Sequence, residues 1–297
     1  MYRRWSVCAV VAAATLLVGP GAAGREAGPA GAIVFERIVG ETPELYVIDA
    51  DGSEIKRLTR NRLSDRRPSV SRDGRRIAFA RLGGPLSLWL MNPDGSGQRR
   101  LVNEGFESSW APDGSIFYTE TCAGISRVTA AGATRIVKEA GRGEGYRDPA
   151  VSPDGSRIAF TRLLCDQDDC HCKVRVIDTA GHLTSDLRKL RVAGANPTWS
   201  PDGRRIAFSG EAAVTGVGEV ALMIVNRDGT GLRRVAPRTL IASDPAWSPD
   251  GLWIAFVGEN RKRFQRDLYV IRPDGTHLQR LRLTGIEFSP AWMPRMP

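Results

Sequence analysis

The chain has 297 residues, 42 % of them apolar and 25 % charged, and it carries 42 Lys and Arg against 33 Asp and Glu for a formal charge of +9. That length holds one large β domain or two ordinary domains. A basic surplus invites a nucleic-acid reading, but the basic residues are almost all Arg and lie scattered among acids, so a solvated basic surface is expected and nucleic acid is not the expected partner.

Residues 1–24 read as a secretory signal peptide: Arg3 and Arg4, an apolar run from Val7 to Val18, then the small residues Gly21, Ala22, Ala23 and Gly24. The run is short for a bilayer span, and no later segment is apolar enough; a retained anchor is the alternative. Cys8 lies inside the run, so a lipid-modified N-terminal cysteine is not expected. Residues 25–297 are therefore expected as one exported, monomeric domain, periplasmic, in the cell envelope or extracellular, with no transmembrane segment after cleavage.

From there the chain repeats itself. AIVFERI (32–38) and ELYVIDADG (44–52) come first. RPSVSRDG (67–74), ESSWAPDG (107–114), DPAVSPDG (148–155), NPTWSPDG (196–203) and DPAWSPDG (244–251) follow, and the degenerate SPAWMPRM closes from Ser289. Their glycines stand 40 to 48 residues apart, the period of a four-stranded propeller blade. In each unit a short extended piece leads into a Pro-Asp-Gly turn, where Pro presets φ, Asp bonds its own backbone and Gly takes positive φ. A second strand follows, alternating large and small apolar residues: Ile77 and Phe79, Ile116 and Tyr118, Ile158 and Phe160, Ile206 and Phe208, Ile254 and Phe256. A third strand (LWLM, VRVI, LMIV, LYVI), a further glycine turn and a more polar fourth strand complete the unit. The N-terminal piece lacks a first strand, and SPAWMP is a first strand with nothing after it. The expected fold is all-β: a six-bladed β-propeller with four antiparallel strands per blade, the last blade closed by the N- and C-terminal segments, which hides the sheet edges.

The phrases PxWSPDGxxIAF and LYVIDADGxxxxxLT resemble the TolB-like, WD-type β-propeller repeat over essentially all of residues 30–297. The resemblance implies a propeller that binds other proteins and is not an enzyme. The family's namesake carries an additional N-terminal α/β domain, for which the residues ahead of the first repeat leave no room.

Antiparallel strands put both glycine turns of every blade on one face. The second-to-third loops and blade joints, variable in length, fall on the other, and that is the expected recognition side. At the start of each first strand, six aligned residues are expected to ring the channel mouth: Arg67, Glu107, Asp148, Asn196, Asp244 and Ser289. Three acids and one Arg suit a cation or a basic peptide end; the plainer reading is that a polar residue before Pro starts an extended strand.

The longest decorated loop is LLCDQDDCHCK (163–173). Cys165, Cys170, His171 and Cys172 make a weak zinc set, and Asp166, Asp168 and Asp169 lack the spacing of a calcium loop. Export favours two disulfides among Cys122, Cys165, Cys170 and Cys172, with all three pairings open. No cofactor is expected, with calcium or zinc as the alternatives. Arg261, Lys262, Arg263, Phe264 and Arg266 form a basic loop able to meet phosphates or an acidic partner, or simply a solvated hairpin tip. Trp110, Trp199, Trp247 and Trp292 recur at one repeat position and are assigned to blade packing ahead of a sugar-stacking platform.

No GxSxG elbow occurs, the sialidase Asp-box spacing fails, and His171, His182 and His277 lie far apart with no Ser or Asp partner evident. The expected function is an exported, non-catalytic scaffold that binds a protein or peptide partner in the envelope. The alternative is a hydrolase or lyase of a cell-surface polymer, using the channel carboxylates Glu107, Asp148 and Asp244.

Overall fold

The computed structural model describes residues 28–294 except 39, 121–123, 130–131, 133, 142, 166–169, 185–192, 213–218, 262–264, 282 and 284, so residues 1–24, expected as a signal peptide, lie outside the described residues. Its elements are all β-strands, arranged in six antiparallel sheets. Among the described residues no helix is long and apolar enough to cross a membrane.

Blade 1 has the order Ile286–Met293, Ala32–Ile38, Pro43–Asp49, Ile55–Arg57, so the chain's last strand is its innermost. Blade 2 runs Ser64–Val70, Ile77–Leu82, Ser87–Met91, Arg99–Asn103, and blade 3 runs Ser108–Trp110, Ile116–Glu120, Gly124–Val128, Thr134–Glu139. Blade 4 shows Glu144–Val151, Arg157–Cys165 and Cys170–Asp178 among the described residues. Blade 5 contains Gly194–Trp199, Arg205–Ala212, Glu219–Asn226 and Arg233–Arg234; blade 6 contains Leu240–Trp247, Ile254–Asn260, Gln265–Ile271 and Gln279–Leu281. Each innermost strand touches that of the next blade, and the sixth touches the first. The circle is closed.

Closure is by register as well as proximity. Ala32 pairs with Met293, Ile33 with Trp292, and Arg37 with Glu287, so both ends of the chain build one sheet. The core consists of six seams rather than one mass. Phe256 packs with Leu222, Ile224 and Trp247 between blades 5 and 6, and Phe35 with Trp253, Leu268 and Trp292 between blades 6 and 1. Phe35, Phe79, Phe160, Phe208 and Phe256 are fully buried at the same repeat position, each contributing roughly 2–3 kcal/mol of apolar burial.

The tryptophans pack as expected. Trp110 donates its Nε1–H to the Ser69 carbonyl of the preceding blade (3.1 Å), Trp199 to that of Ala150 (3.0 Å), and Trp292 to that of Ala30 (3.0 Å). The Pro-Asp-Gly turns close on one pattern, with the Asp154 carboxylate accepting the Ser156 N–H and two serine hydroxyls while Gly155 takes φ 74°.

Candidate binding site in the channel

The innermost strands enclose a cavity of about 270 Å³, and all six aligned residues (Arg67, Glu107, Asp148, Asn196, Asp244 and Ser289) stand in its wall. Two sequence expectations need correcting here. The innermost strands of blades 1, 2, 4, 5 and 6 start three or four residues, or two in blade 5, before the aligned position, so those residues sit inside the channel wall rather than at the strand start. Nor is the residue before proline extended: Arg67, Asp148, Asn196, Asp244 and Ser289 have φ between 48° and 53°.

The cause is the proline that follows each of the five. Pro has no N–H to give the ladder, and the pairing skips at that point. Arg66 pairs with Ala80 and Ser69 with Ala78, leaving Arg67 and Pro68 together opposite Phe79. The same two-against-one bulge recurs in blades 1, 4, 5 and 6, each time opposite the core phenylalanine. In blade 3 Glu107 is followed by Ser108, and it keeps ordinary φ. A non-glycine residue in this region is strained by about 1–3 kcal/mol.

The bulge frees the backbone N–H of the aligned residue, and the neighbouring blade accepts it. Arg67 N–H donates to Glu36 Oε1 (2.6 Å), Asn196 N–H to Thr161 Oγ1 (3.0 Å), and Asp244 N–H to Ser209 Oγ (3.1 Å). The hydroxyls then donate within their own blade: Thr161 to Asp148 Oδ2 (2.8 Å), Ser209 to Asn196 Oδ1 (3.3 Å), and Thr119 to Glu107 Oε2 (2.7 Å). Glu107 Oε2 also receives the Asp148 N–H at 3.4 Å. Aligned residue, second-strand hydroxyl and next aligned residue thus form a relay running from blade to blade. Glu36, Thr119, Thr161 and Ser209 were absent from the sequence candidates. Their signal was present, because they share the position after the core aromatic, where Ala80 and Val257 stand in the other two blades.

Arg67 crosses the channel. Its Nη1 lies 3.3 Å from Asp244 Oδ1 and 3.7 Å from Asp148 Oδ1, joining blade 2 to blades 6 and 4. Burial works against the guanidinium charge, but Asp148 and Asp244 hold it firmly protonated. Burial pushes the carboxyls of Asp148 and Glu36 upward, with Arg67 pulling both back. Glu107 is pushed up by burial and then by the charge of Asp148. At the glycine-turn end Arg72, standing where other units have Pro, reaches over to the Pro153 and Ser152 carbonyls of blade 4 (2.6 and 3.2 Å).

None of the basic-loop, cysteine or histidine candidates among the described residues lines this site. In the basic loop Lys262, Arg263 and Phe264 lie outside the described residues; Arg266 is engaged with Glu259 at 3.0 Å and lies over the Phe288 ring, and Arg261 is partly buried. Cys165 is disulfide-bonded and Cys172 is not half of a disulfide. Cys165 is therefore not available as a zinc thiolate beside His171. In register Cys165 faces Cys170 and Cys172 faces Leu163; Cys122 and the Cys170 side chain lie outside the described residues. Among the described residues no group of three or more His, Cys, Asp or Glu is placed to hold a metal ion. His182 and His277 do have partners, Asp178 Oδ2 at 3.1 Å and Thr276 Oγ1 at 2.9 Å, but both contacts belong to exposed turns far from the channel.

A closed circle of six antiparallel blades with a polar relay along its channel defines a β-propeller of the WD type. More narrowly, the chain belongs to the TolB beta propeller domain family, whose model matches residues 146–296. Among solved structures it is similar to TolB from Acinetobacter baumannii, with a TM-score of 0.71 and 20 % identity over 89 % of this chain and 67 % of that one. It is also similar to a putative TolB from Agrobacterium tumefaciens, with a TM-score of 0.64 and 17 % identity over 90 % and 92 %. An oligogalacturonate lyase from Vibrio parahaemolyticus matches with a TM-score of 0.55 and 17 % identity over 85 % and 73 %. At such identities the likeness is one of fold alone. No curated protein sequence matches the chain.

Proposed function

We propose that this propeller is a non-catalytic, exported scaffold that binds a protein or peptide segment through its loop face and channel. The observation that carries the reading is the position of Arg67, clamped between Asp148 and Asp244 in the wall of an open cavity. Its partners are themselves fixed by Thr161 and Ser243 hydroxyls at 2.8 Å. Groups tied down in this way make a preorganised recognition surface; general acid–base work needs a group free to exchange its proton with a substrate. Kinship with TolB propellers, and the leader-like N-terminus, support a place outside the cytoplasm.

The test compares capture from envelope and extracellular fractions by the purified chain and by the double variant Asp148→Asn with Asp244→Asn. One partner is expected to be retained by the parent and lost at least about tenfold by the variant, since the charge pairs that order the cavity are gone. Equal capture by a folded variant removes the channel from the reading. Turnover of a cell-surface polymer that disappears in the same variant replaces binding with catalysis.

A further inference from the structure

Beside the channel, between blades 2, 3 and 4, lies a second cavity of about 200 Å³. It lies beneath the second-to-third loop of blade 2, on the face of the variable loops. Its walls are largely apolar, from Leu82, Leu86, Phe106 and the ring of Tyr146, and Thr119, Arg147 and two acids, Glu107 and Glu120, complete the lining.

Glu107 belongs to both cavities and is only 3 % exposed. Its Oε2 is fully engaged by the Thr119 hydroxyl and the Asp148 N–H, while Oε1 has no hydrogen-bond partner. A buried carboxylate oxygen without a donor is costly. Around it the charges do not balance. Arg67 is shared among Glu36, Glu107, Asp148 and Asp244, with Arg147 also acting on Glu107 and Arg66 on Glu36. Burial raises the Glu107 carboxyl and Asp148 raises it further, while Arg67, the Thr119 hydroxyl and Arg147 pull it back only in part.

We infer that this cavity seats a lysine side chain of the bound partner, with its four-carbon stem against Leu82, Leu86, Phe106 and Tyr146 and its ammonium meeting Glu107. The inference rests on the scaffold reading above. Three alternatives fit the cavity less well. An aliphatic side chain fills the walls but leaves Oε1 without a donor. An anion adds charge to a site that already has too much of that sign. An arginine asks for a two-oxygen carboxylate, and Oε2 is already taken. A lysine brings a compact donor on an apolar stem.

The probe is n-butylammonium, the end of a lysine side chain, followed by protein NMR shifts in the full chain, with sodium butyrate and n-butanol as matched controls. Saturable n-butylammonium binding is expected, with both controls at least about tenfold weaker. Glu107→Gln, which keeps shape and removes charge, is expected to weaken it about tenfold, and Leu86→Ser, at a half-exposed site that does not threaten folding, about threefold. Butyrate binding as tightly as n-butylammonium overturns the inference on the parent protein alone, whatever the variants do. So does unchanged binding in Glu107→Gln. Partner capture that survives Glu107→Gln and Leu86→Ser but is lost in Asp148→Asn/Asp244→Asn overturns the lysine seat and leaves the scaffold reading standing.

Discussion

Thr161 joins two blades through one oxygen: it donates to Asp148 Oδ2 and accepts the Asn196 N–H, and it is 1 % exposed. Thr161→Val keeps the volume and strips both bonds, leaving a buried N–H and a carboxylate each short of a partner. We expect a loss of about 2 kcal/mol in chemical denaturation; a change within the error of the parent midpoint shows that the relay does not hold the blades. At this scale the sequence was only half legible. Alignment on Asp-Gly found the six wall residues, because they share one repeat position, followed by proline in all but Glu107. It gave the wrong backbone for five of them, since the usual rule makes a residue before proline extended, whereas the missing proline N–H forces a bulge and φ near 50°. The relay hydroxyls were harder to see, standing as ordinary strand residues just after the core aromatic of each second strand. Glu36, an acid in the apolar AIVFERI, breaks that pattern and went unread all the same.

The strands themselves were readable from period and punctuation, and the discrepancies follow from what lies across the sheet. The first strands extend well beyond the short piece before the Pro-Asp-Gly turn, as in Leu240–Trp247, because residues before the bulge re-enter the ladder. Where the closing strand meets blade 6, Glu287 is fully buried 3.7 Å from Arg37, with Asp267 and Arg280 nearby. Burial first, and then the charge of Asp267, push its carboxyl up to about 7, with Arg37 and Arg280 pulling the other way. The folded protein therefore holds a proton that the unfolded chain releases near pH 4.5, and stability falls as pH rises from there to about 7, by about 3 kcal/mol. Glu287→Gln mimics the protonated form, and we expect its thermal midpoint to overtake the parent's above neutrality and to be flatter with pH. A parent curve level from pH 5 to 8 contradicts this. The turn aspartates act with opposite sign. Asp154, held by the Ser152 hydroxyl and the Ser156 N–H, lies lowered to about 2, so what it contributes is present above its ordinary value near 3.8 and is lost as pH falls toward 2. Together they place the most stable pH in mildly acid solution, which a midpoint-against-pH series reads directly.

On the scale of the whole molecule, the closed circle makes six weak seams into one cooperative structure. Each blade buries its apolar faces only against neighbours, as in repeat proteins generally, but here the last blade is shared, so no seam opens without opening a sheet. The strand Ile286–Met293 does most of this. It pairs with Ala32–Ile38 through six residue pairs, places Trp292 in the blade 6 to blade 1 seam, and supplies the Ser289 hydroxyl to Glu36. Deleting residues 286–297 leaves Ala32–Ile38 as a bare edge with an uncovered seam, the kind of edge that recruits other chains. The shortened chain is expected to lose its sharp thermal transition and to associate. A synthetic peptide of residues 286–297 is expected to restore the transition saturably, because the vacated edge keeps its register and its pocket for the indole. The same peptide carrying Trp292→Ala is expected to act at a concentration higher by about a hundredfold to a few thousandfold, since truncating a buried aromatic costs about 3–5 kcal/mol. The channel reports the same event: without Ser289, Glu36 keeps only the Arg67 N–H, so cavity binding returns with the peptide and not before it. A shortened chain that melts as sharply and as high as the parent means that the blades are held by their seams alone, and the shared sheet then has no part in keeping the channel in shape.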